Sequence, residues 1–307
     1  MIMESEKFVK NPIITVCVLC YNQNAYISKC IESILSQETE YSFELLIGDD
    51  CSTDGGLETC KHYQELHPDK IKLIANNPNQ GLISNYINLL SNARGKYIAV
   101  CGGDDYWCDT HKLQKQTDFL QANPDFSMCF TNAYEESNFS WEGYRKTVFA
   151  EIPQNQEFKG EDIILKWVIP ASSVMFCNGL VDFSFLTKRK YYAEDLATYL
   201  KLAECGKIYG MADITTVYVR HEESITNAQL KQDKAIRNYT TTLQSIDEEL
   251  NGKYHSIIRK DLSMTYYKSA KGEYKRGNKS KAVQRMWQSM MYSPSTSYHL
   301  LIDSLIR

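Results

Sequence analysis

The sequence predicts an α/β fold, a doubly wound and mostly parallel sheet flanked by helices, with a C-terminal α-helical extension. Three observations predict it. Short β-branched runs alternate with helix-period apolar stripes from the start to about residue 130. Clusters of Gly, Asn and Asp separate these segments, and from Ser224 onward the pattern stays helical with no acidic loop among its turns. Repeated strand–helix–strand units build parallel sheets, because a parallel pairing needs a crossover that a helix supplies.

The elements follow in order. Ile13–Cys20 is an apolar, β-branched run that predicts a buried strand, and Tyr21-Asn-Gln-Asn24 supplies turn and helix-capping chemistry. Ile27, Cys30, Ile31, Ile34 and Leu35 then fall at helical spacing. Phe43–Ile47 predicts a second strand, ending in the turn-forming loop Gly48–Gly56. A helix to about Leu66 and a third strand, Lys70–Ala75, come next. After the loop Asn76–Gly81, Leu82, Tyr86, Leu89 and Leu90 mark a helix, and Lys96–Cys101 predicts a fourth strand that runs into Gly102-Gly-Asp-Asp-Tyr-Trp107. Residues 135–160 lack clear periodicity and predict hairpins or a long loop. Pro170–Phe176 predicts a strand entered from a small-residue loop, Tyr191–Cys205 a helix, and Lys207–Arg220 a strand.

Composition narrows the class. The chain has 307 residues, 43% of them apolar and 23% charged, which is ordinary for a globular protein and too apolar for a disordered one. Its 34 Lys and Arg against 38 Asp and Glu give a net charge of −4, which argues against nucleic acid as a partner. No run approaches the roughly 20 apolar residues that span a bilayer. The start, Met1–Lys7, lacks the basic end and apolar stretch of a signal peptide, so a cytoplasmic location is expected. Ten cysteines are scattered through apolar segments. Cys17 and Cys20 form C-x-x-C inside a strand, where residues three apart face opposite ways, so they are expected to be reduced, buried thiols and not a metal or redox pair.

Ligands of such sheets bind beyond the carboxyl ends of the strands. The acidic loops Asp49–Asp54 and Asp104–Asp105 both fall there. Adjacent acids at the end of a buried strand are costly unless a cation or hydrogen-bond donors neutralise them. Hard oxygen ligands favour Mg²⁺ or Mn²⁺ bound together with substrate phosphates, although Gly-Gly-Asp-Asp is also good turn chemistry. There is no P-loop, no G-x-G-x-x-G and no G-x-S-x-G elbow.

Pro12-Ile-Ile-Thr-Val16 with Tyr21-Asn22, then Glu44–Asp54, then Asn79-Gln-Gly81 with Asn85, then Gly95–Trp107, resemble in order and spacing the family 2 glycosyltransferases. The match covers about 110 residues, and further matches extend it to about residue 225. The resemblance implies the GT-A fold over residues 1–226 and leaves 227–307 as a helical extension for docking, oligomerisation or a membrane surface. It implies transfer of a hexosyl or N-acetylhexosaminyl group from a nucleotide donor, most often a UDP-sugar, with inversion, aided by Mn²⁺ or Mg²⁺. A glycan or lipid-linked acceptor in bacterial surface polysaccharide synthesis is implied as well, placing the protein at the inner face of the cell membrane.

The family's functional positions carry over where residues match. Thr15, Val16, Cys20, Tyr21 and Asn22 resemble the segment packed against the nucleoside, and Asn85 belongs to the matched donor-side segment. Asp49 or Asp50, with Asp50 preferred, resembles the carboxylate that bonds the uracil. Asp104 and Asp105 resemble the acids that meet ribose and metal, and Gly102 stands where the family's leading Asp falls. Trp107 resembles an aromatic wall for a sugar ring. In Ala193-Glu-Asp-Leu196, Asp195 resembles the general base and Glu194 its acceptor-binding neighbour. His221 or Arg220 resembles a basic group that reaches the diphosphate or metal, and Ser172 and Ser173 resemble a segment near the acceptor. Two other readings compete: a sugar nucleotidyltransferase, against which the chain lacks a Gly-rich basic loop after its first strand, and a catalytically silent nucleotide- or sugar-binding module, which Gly102 favours and Asp104, Asp105, Glu194 and Asp195 oppose.

Overall fold

The computed structural model describes residues 8–139, 143–149, 151–166, 168–221 and 232–297. The expected boundary at 226/227, the start of the helical segment at Ser224 and the apolar tail His299–Ile306 lie outside them.

The first half follows the predicted alternation: β1 (Ile14–Cys20), α1 (Asn24–Leu35), β2 (Phe43–Asp49), α2 (Gly56–Leu66), β3 (Ile71–Ala75), α3 (Leu82–Asn92) and β4 (Tyr97–Gly102). A two-residue strand β5 (Tyr106–Trp107) and α4 (Lys112–Ala122) follow. The stretch without periodicity is mostly sheet: β6 (Phe126–Phe139) turns back as β7 (Gly143–Phe149), and β8 (Gln156–Phe158) leads to α5 (Gly160–Leu165). The expected strand after Pro170 begins as a single 3₁₀ turn, Ala171–Ser173, and becomes β9 (Met175–Cys177). Then come α6 (Phe185–Lys188), α7 (Glu194–Cys205), β10 (Lys207–Arg220), and three helices, α8 (Gln232–Glu249), α9 (His255–Lys275) and α10 (Lys279–Tyr292).

The sheet runs β3-β2-β1-β4-β9-β6-β10-β5, with β7 beside β6 and β8 beside β10. β3, β2, β1 and β4 are parallel neighbours, and β6 pairs in parallel with β10. The short β9 is antiparallel to both β4 and β6 and joins the two halves.

Strand alternation divides the core between the two faces of this sheet. Val16, Val18, Leu45, Ile47 and Ala99 pack with Ile27, Ile31 and Ile34 of α1 and with Leu113 and Leu120 of α4. Cys17, Leu46 and Ile98 pack with Leu89 and Leu90 of α3 and with Leu196 and Leu200 of α7. Cys17 and Cys20 therefore belong to opposite faces. All ten cysteines are free thiols. Cys108 and Cys205 are exposed, against the expectation of uniform burial, because the one follows the short β5 and the other closes α7 at the surface.

The C-terminal helices are continuous with this core. Leu243 and Ile246 of α8, with Ile258 and Leu262 of α9, are buried against the same cluster as the sheet residues. Tyr254 bonds Glu204 of α7 at 2.7 Å and packs so tightly on Gly160 that a methyl group there would meet its hydroxyl at 2.2 Å. α10 sits on α9 through Ala282 and a buried cluster of the hydroxyls of Ser263, Ser289 and Ser297. No helix among the described residues is long and apolar enough to cross a membrane.

Candidate active site

The exits of β1, β2 and β4 lie side by side because those strands are neighbours in register. Asn22, in the left-handed region at φ 51°, accepts Thr53 N–H at 2.8 Å through Oδ1, and its own N–H donates to Ser52 Oγ at 3.0 Å. Asp54 accepts from Asn24 N–H and Gly56 N–H, so one carboxylate caps the starts of both α1 and α2. Tyr21 stands beside this junction, half exposed.

Asp49 and Asp50 have different surroundings. Asp50 accepts from Gln80 N–H, Gly81 N–H and Asn76 Nδ2 at 2.8–3.0 Å, and its carboxylate organises the loop before α3. Asp49 accepts Ser52 N–H at 3.0 Å through Oδ1, while its Oδ2 is buried without any hydrogen-bond partner. A buried acceptor left unpaired is costly until a donor arrives. The oxygens of Asp50, the preferred candidate, are thus engaged by its own loop, whereas Asp49 keeps one unpaired.

At the end of β4 the acidic pair divides its tasks too. Asp105 is buried and accepts from Ser172 Oγ and from Val219 N–H at 2.9 Å. Burial, then the charge of Asp104, pushes its carboxyl well above the ordinary range. Asp104 is partly exposed, and its Oδ2 lies 3.1 Å from His221 Nε2. The His221 imidazole is stacked on the ring of Tyr26, a residue of α1 that no sequence motif singles out. Among the described residues no group of three or more metal-ligating side chains exists. Asp104 and His221 are thus the pair placed to offer a carboxylate and an imidazole to one ion, were its remaining positions filled by phosphates and water. Of the three residues expected at a metal, Asp104 and His221 lie together, and Asp105 is engaged by Ser172 and Val219. Gly102 has a local reason as well: a Cβ there would meet Asp104 Oδ1 at 2.8 Å.

Several expected contacts prove to be supports. Thr15 lies near the amino end of β1, about 17 Å of strand from Cys20, where its Oγ1 donates to Glu44 and accepts from Gly95 N–H at 2.8 Å. Glu44, fully buried, pairs there with Arg94 at 2.5 Å. Val16 is wholly inside the core. Cys20 is buried, and its carbonyl accepts Asp50 N–H at 3.0 Å. Asn85 is an internal strut, donating to the Gly48 carbonyl at 2.8 Å and accepting from Asn76 at 3.1 Å. Ser172 and Ser173 are buried: Ser172 accepts Gly102 N–H and donates to Asp105, and Ser173 donates to the Pro170 carbonyl. Trp107 is 4% exposed, its Nε1 donates to the Ser172 carbonyl, and Lys112 Nζ lies 4.5 Å from its ring centroid, so it is a packing residue and no wall for a sugar. Lys112 itself is fully buried, bonded to Gln116, and burial pushes its amine down to about 8.

Glu194 and Asp195 open α7, and Asp195 Oδ1 accepts Leu196 N–H at 2.8 Å. Burial, then the charge of Asp195, pushes Glu194 up to about 7, and burial raises Asp195 as well. Glu194 lines a cleft of about 340 Å³ with Gln80, Leu82, Ser84, Tyr191 and Tyr192. The C-terminal helices hold its rim, since Tyr192 N–H donates to Thr242 Oγ1 and Ser245 Oγ to the Lys190 carbonyl. Tyr192 and Leu82 face solvent across this cleft. Periodicity marks Leu82 only as a stripe residue of its helix and does not single out Tyr192, because what matters at this cleft is the partner each meets across it.

The architecture is that of GT-A glycosyltransferases. S. aureus TarS 1–349 in complex with UDP-GlcNAc superposes with a TM-score of 0.64 at 17% identity, covering 92% of this chain and 82% of that one. The mannosyltransferase PcManGT of Pyrobaculum calidifontis, in complex with GDP-Man and Mn²⁺, gives a TM-score of 0.56 at 16% identity over 97% of this chain and 81% of that one. Residues 15–188, more than half of the chain, match glycosyl transferase family 2, and the chain belongs to that family. An uncharacterised protein of Mycobacterium tuberculosis is 30% identical over 219 residues, 67% of this chain and 58% of its own length. The chain thus spans little more than half of that relative. The UDP-Glc:α-D-GlcNAc-diphosphoundecaprenol β-1,3-glucosyltransferase WfaP of Escherichia coli is 29% identical over 223 residues, 72% of this chain and 82% of its own length.

Proposed function

We propose that this chain is an inverting glycosyltransferase that moves a hexosyl or N-acetylhexosaminyl group from a UDP-sugar to a hydroxyl of a glycan or lipid-linked acceptor, working at the cytoplasmic side in bacterial surface polysaccharide synthesis. The supporting observation is a convergence at one edge of the sheet. There an unpaired acceptor on Asp49, the Asp104–His221 pair and the carboxyls of Glu194 and Asp195 all lie beyond strand ends.

Asp49 Oδ2 takes the N3–H of the uracil, a donor its buried oxygen lacks, and half-exposed Tyr21 flanks the base. Asp104 and His221 are the residues that would hold a divalent ion, and a carboxylate with an imidazole suits Mn²⁺ better than Mg²⁺. When bound, such an ion neutralises charge on the departing diphosphate. Asp195 removes the proton of the acceptor hydroxyl as its oxygen bonds to the anomeric carbon. The bond from that carbon to the diphosphate oxygen breaks on the opposite face, and UDP leaves. The acceptor sugar rests in the 340 Å³ cleft, within the size range of small-ligand sites, against the Tyr192 ring and beside Glu194.

The test is UDP release from a panel of donors with Mn²⁺ and an acceptor glycan. Asp195→Asn is expected to lower kcat about 10²–10⁴-fold with UDP affinity unchanged. An equal loss of UDP affinity would move Asp195 into the donor site. UDP binding with no turnover of any donor would favour the silent binding module.

A further inference from the structure

We infer that the outer face of the α9–α10 hairpin is a docking surface for an anionic lipid bilayer. On α10, Val283, Trp287, Met290 and Met291 recur at intervals of four, three and one, which places them on one side of the helix. They are 58, 64, 39 and 75% exposed, while the opposite side, Ala282, Arg285 and Ser289, is buried on α9. Four large apolar side chains in a row on solvent, one of them Trp, are an unusual patch for a surface helix.

Charge identifies the occupant. From Met264 to Tyr292 the chain has seven Lys and Arg and a single acid, Glu273, in a protein whose net charge is −4. The inward cations are neutralised: Lys281 pairs with Asp233 and Glu273, and Arg285 with Asp233. Lys268, Lys271 and Lys275 form an exposed ridge on α9, and Lys279 lies on the same side of α10 as Trp287. None of these four lysines makes an ion pair among the described residues. A helix with Trp and Met on one side, with exposed lysines that make no ion pair among the described residues on it and on its neighbour, matches the chemistry of the interface between acyl chains and anionic headgroups. A second copy of the chain fits less well, because a two-fold contact would bring the lysine ridges of both copies together.

The test uses the full chain and needs no donor, so its outcome is separate from that of the catalytic reading. Flotation with vesicles of phosphatidylcholine alone and mixed with phosphatidylglycerol is expected to show binding only to the second, weakening as salt rises. Trp287→Ser with Met291→Ser is expected to cut partitioning at least about tenfold, and Lys271→Gln, Lys275→Gln and Lys279→Gln together roughly a hundredfold. Unchanged far-ultraviolet dichroism and unchanged UDP release keep misfolding out of the comparison. Absence of binding to anionic vesicles, or equal binding by wild type and both variants, overturns the proposal. A concentration-dependent dimer that Trp287→Ser abolishes, without vesicle binding, assigns the face to a second copy and also overturns it.

Discussion

The ring of Tyr26 lies on the imidazole of His221, with centroids 4.6 Å apart and planes inclined by 28°. The contact joins the first turns of α1 to the end of β10 and fixes the plane in which Nε2 meets Asp104. Outer contacts of this kind orient a ligand and set its affinity for a metal. Tyr26→Leu is expected to raise the Mn²⁺ concentration for half-maximal UDP release about 10–100-fold, and Tyr26→Phe to leave it near wild type. A metal titration checks this; an unshifted midpoint in Tyr26→Leu would show the stack to be packing alone.

Asp49 and Asp50 separate by readout. Asp49→Asn is expected to weaken UDP binding about 10–100-fold, the worth of a charge-assisted hydrogen bond, with little change in Tm. Asp50→Asn strips charge from the acceptor that gathers Gln80, Gly81 and Asn76, so it is expected to cost about 1–3 kcal/mol of stability. Calorimetric titration and thermal melts distinguish them, and the reversed pattern would return the base-reading role to Asp50.

Glu194 makes stability depend on pH in a stated direction. Its carboxyl titrates at about 7 in the fold, against 4.5 for a free glutamate. Because the folded value is the higher one, the stabilising contribution is complete below about 4.5 and disappears as pH rises through 7. Glu194→Gln, neutral throughout, is expected to match wild type near pH 4 and to exceed it by about 3 kcal/mol at pH 9. Denaturant melts at the two values decide it. Equal differences at both would mean the carboxyl is not held neutral.

Gly160 tests whether the C-terminal helices belong to the catalytic core. An added methyl would overlap Tyr254, whose hydroxyl is anchored to Glu204. Gly160→Ala is expected to destabilise by about 1–3 kcal/mol in one cooperative transition for the whole chain. Two transitions, with only the helices loosened, would mark the extension as an independently folding unit.

The alternation of strands and helices was legible because buried parallel strands and amphipathic helices write different periods into the sequence. Elements lacking that signature were not. β6 and β7 pair with each other while β7 lies almost wholly exposed, so neither period dominates. The acids stood out at strand ends, yet their division of labour did not. It depends on Ser172, Val219, Gln80 and Gly81, all distant in sequence or acting through backbone. Thr15 and Val16 were misplaced for a simpler reason: a motif spanning a whole strand contains residues at both ends, and only one end faces the ligand. Tyr26 and Tyr192 carry no pattern at all, since each matters through a partner that folding brings to it.

The anchoring of Asp105 also has a consequence in time. Its carboxylate is held by Ser172, 67 residues further along the chain, and by Val219, 114 residues further. Contacts of such separation form late. A ribosome that has just made the acidic turn needs roughly 6–23 s, at about 5–20 residues per second, to deliver the last of those anchors. Until then the acidic turn lacks the two groups that hold the Asp105 carboxyl. The acidic turn is thereby among the last parts of this sheet edge to acquire its fixed shape.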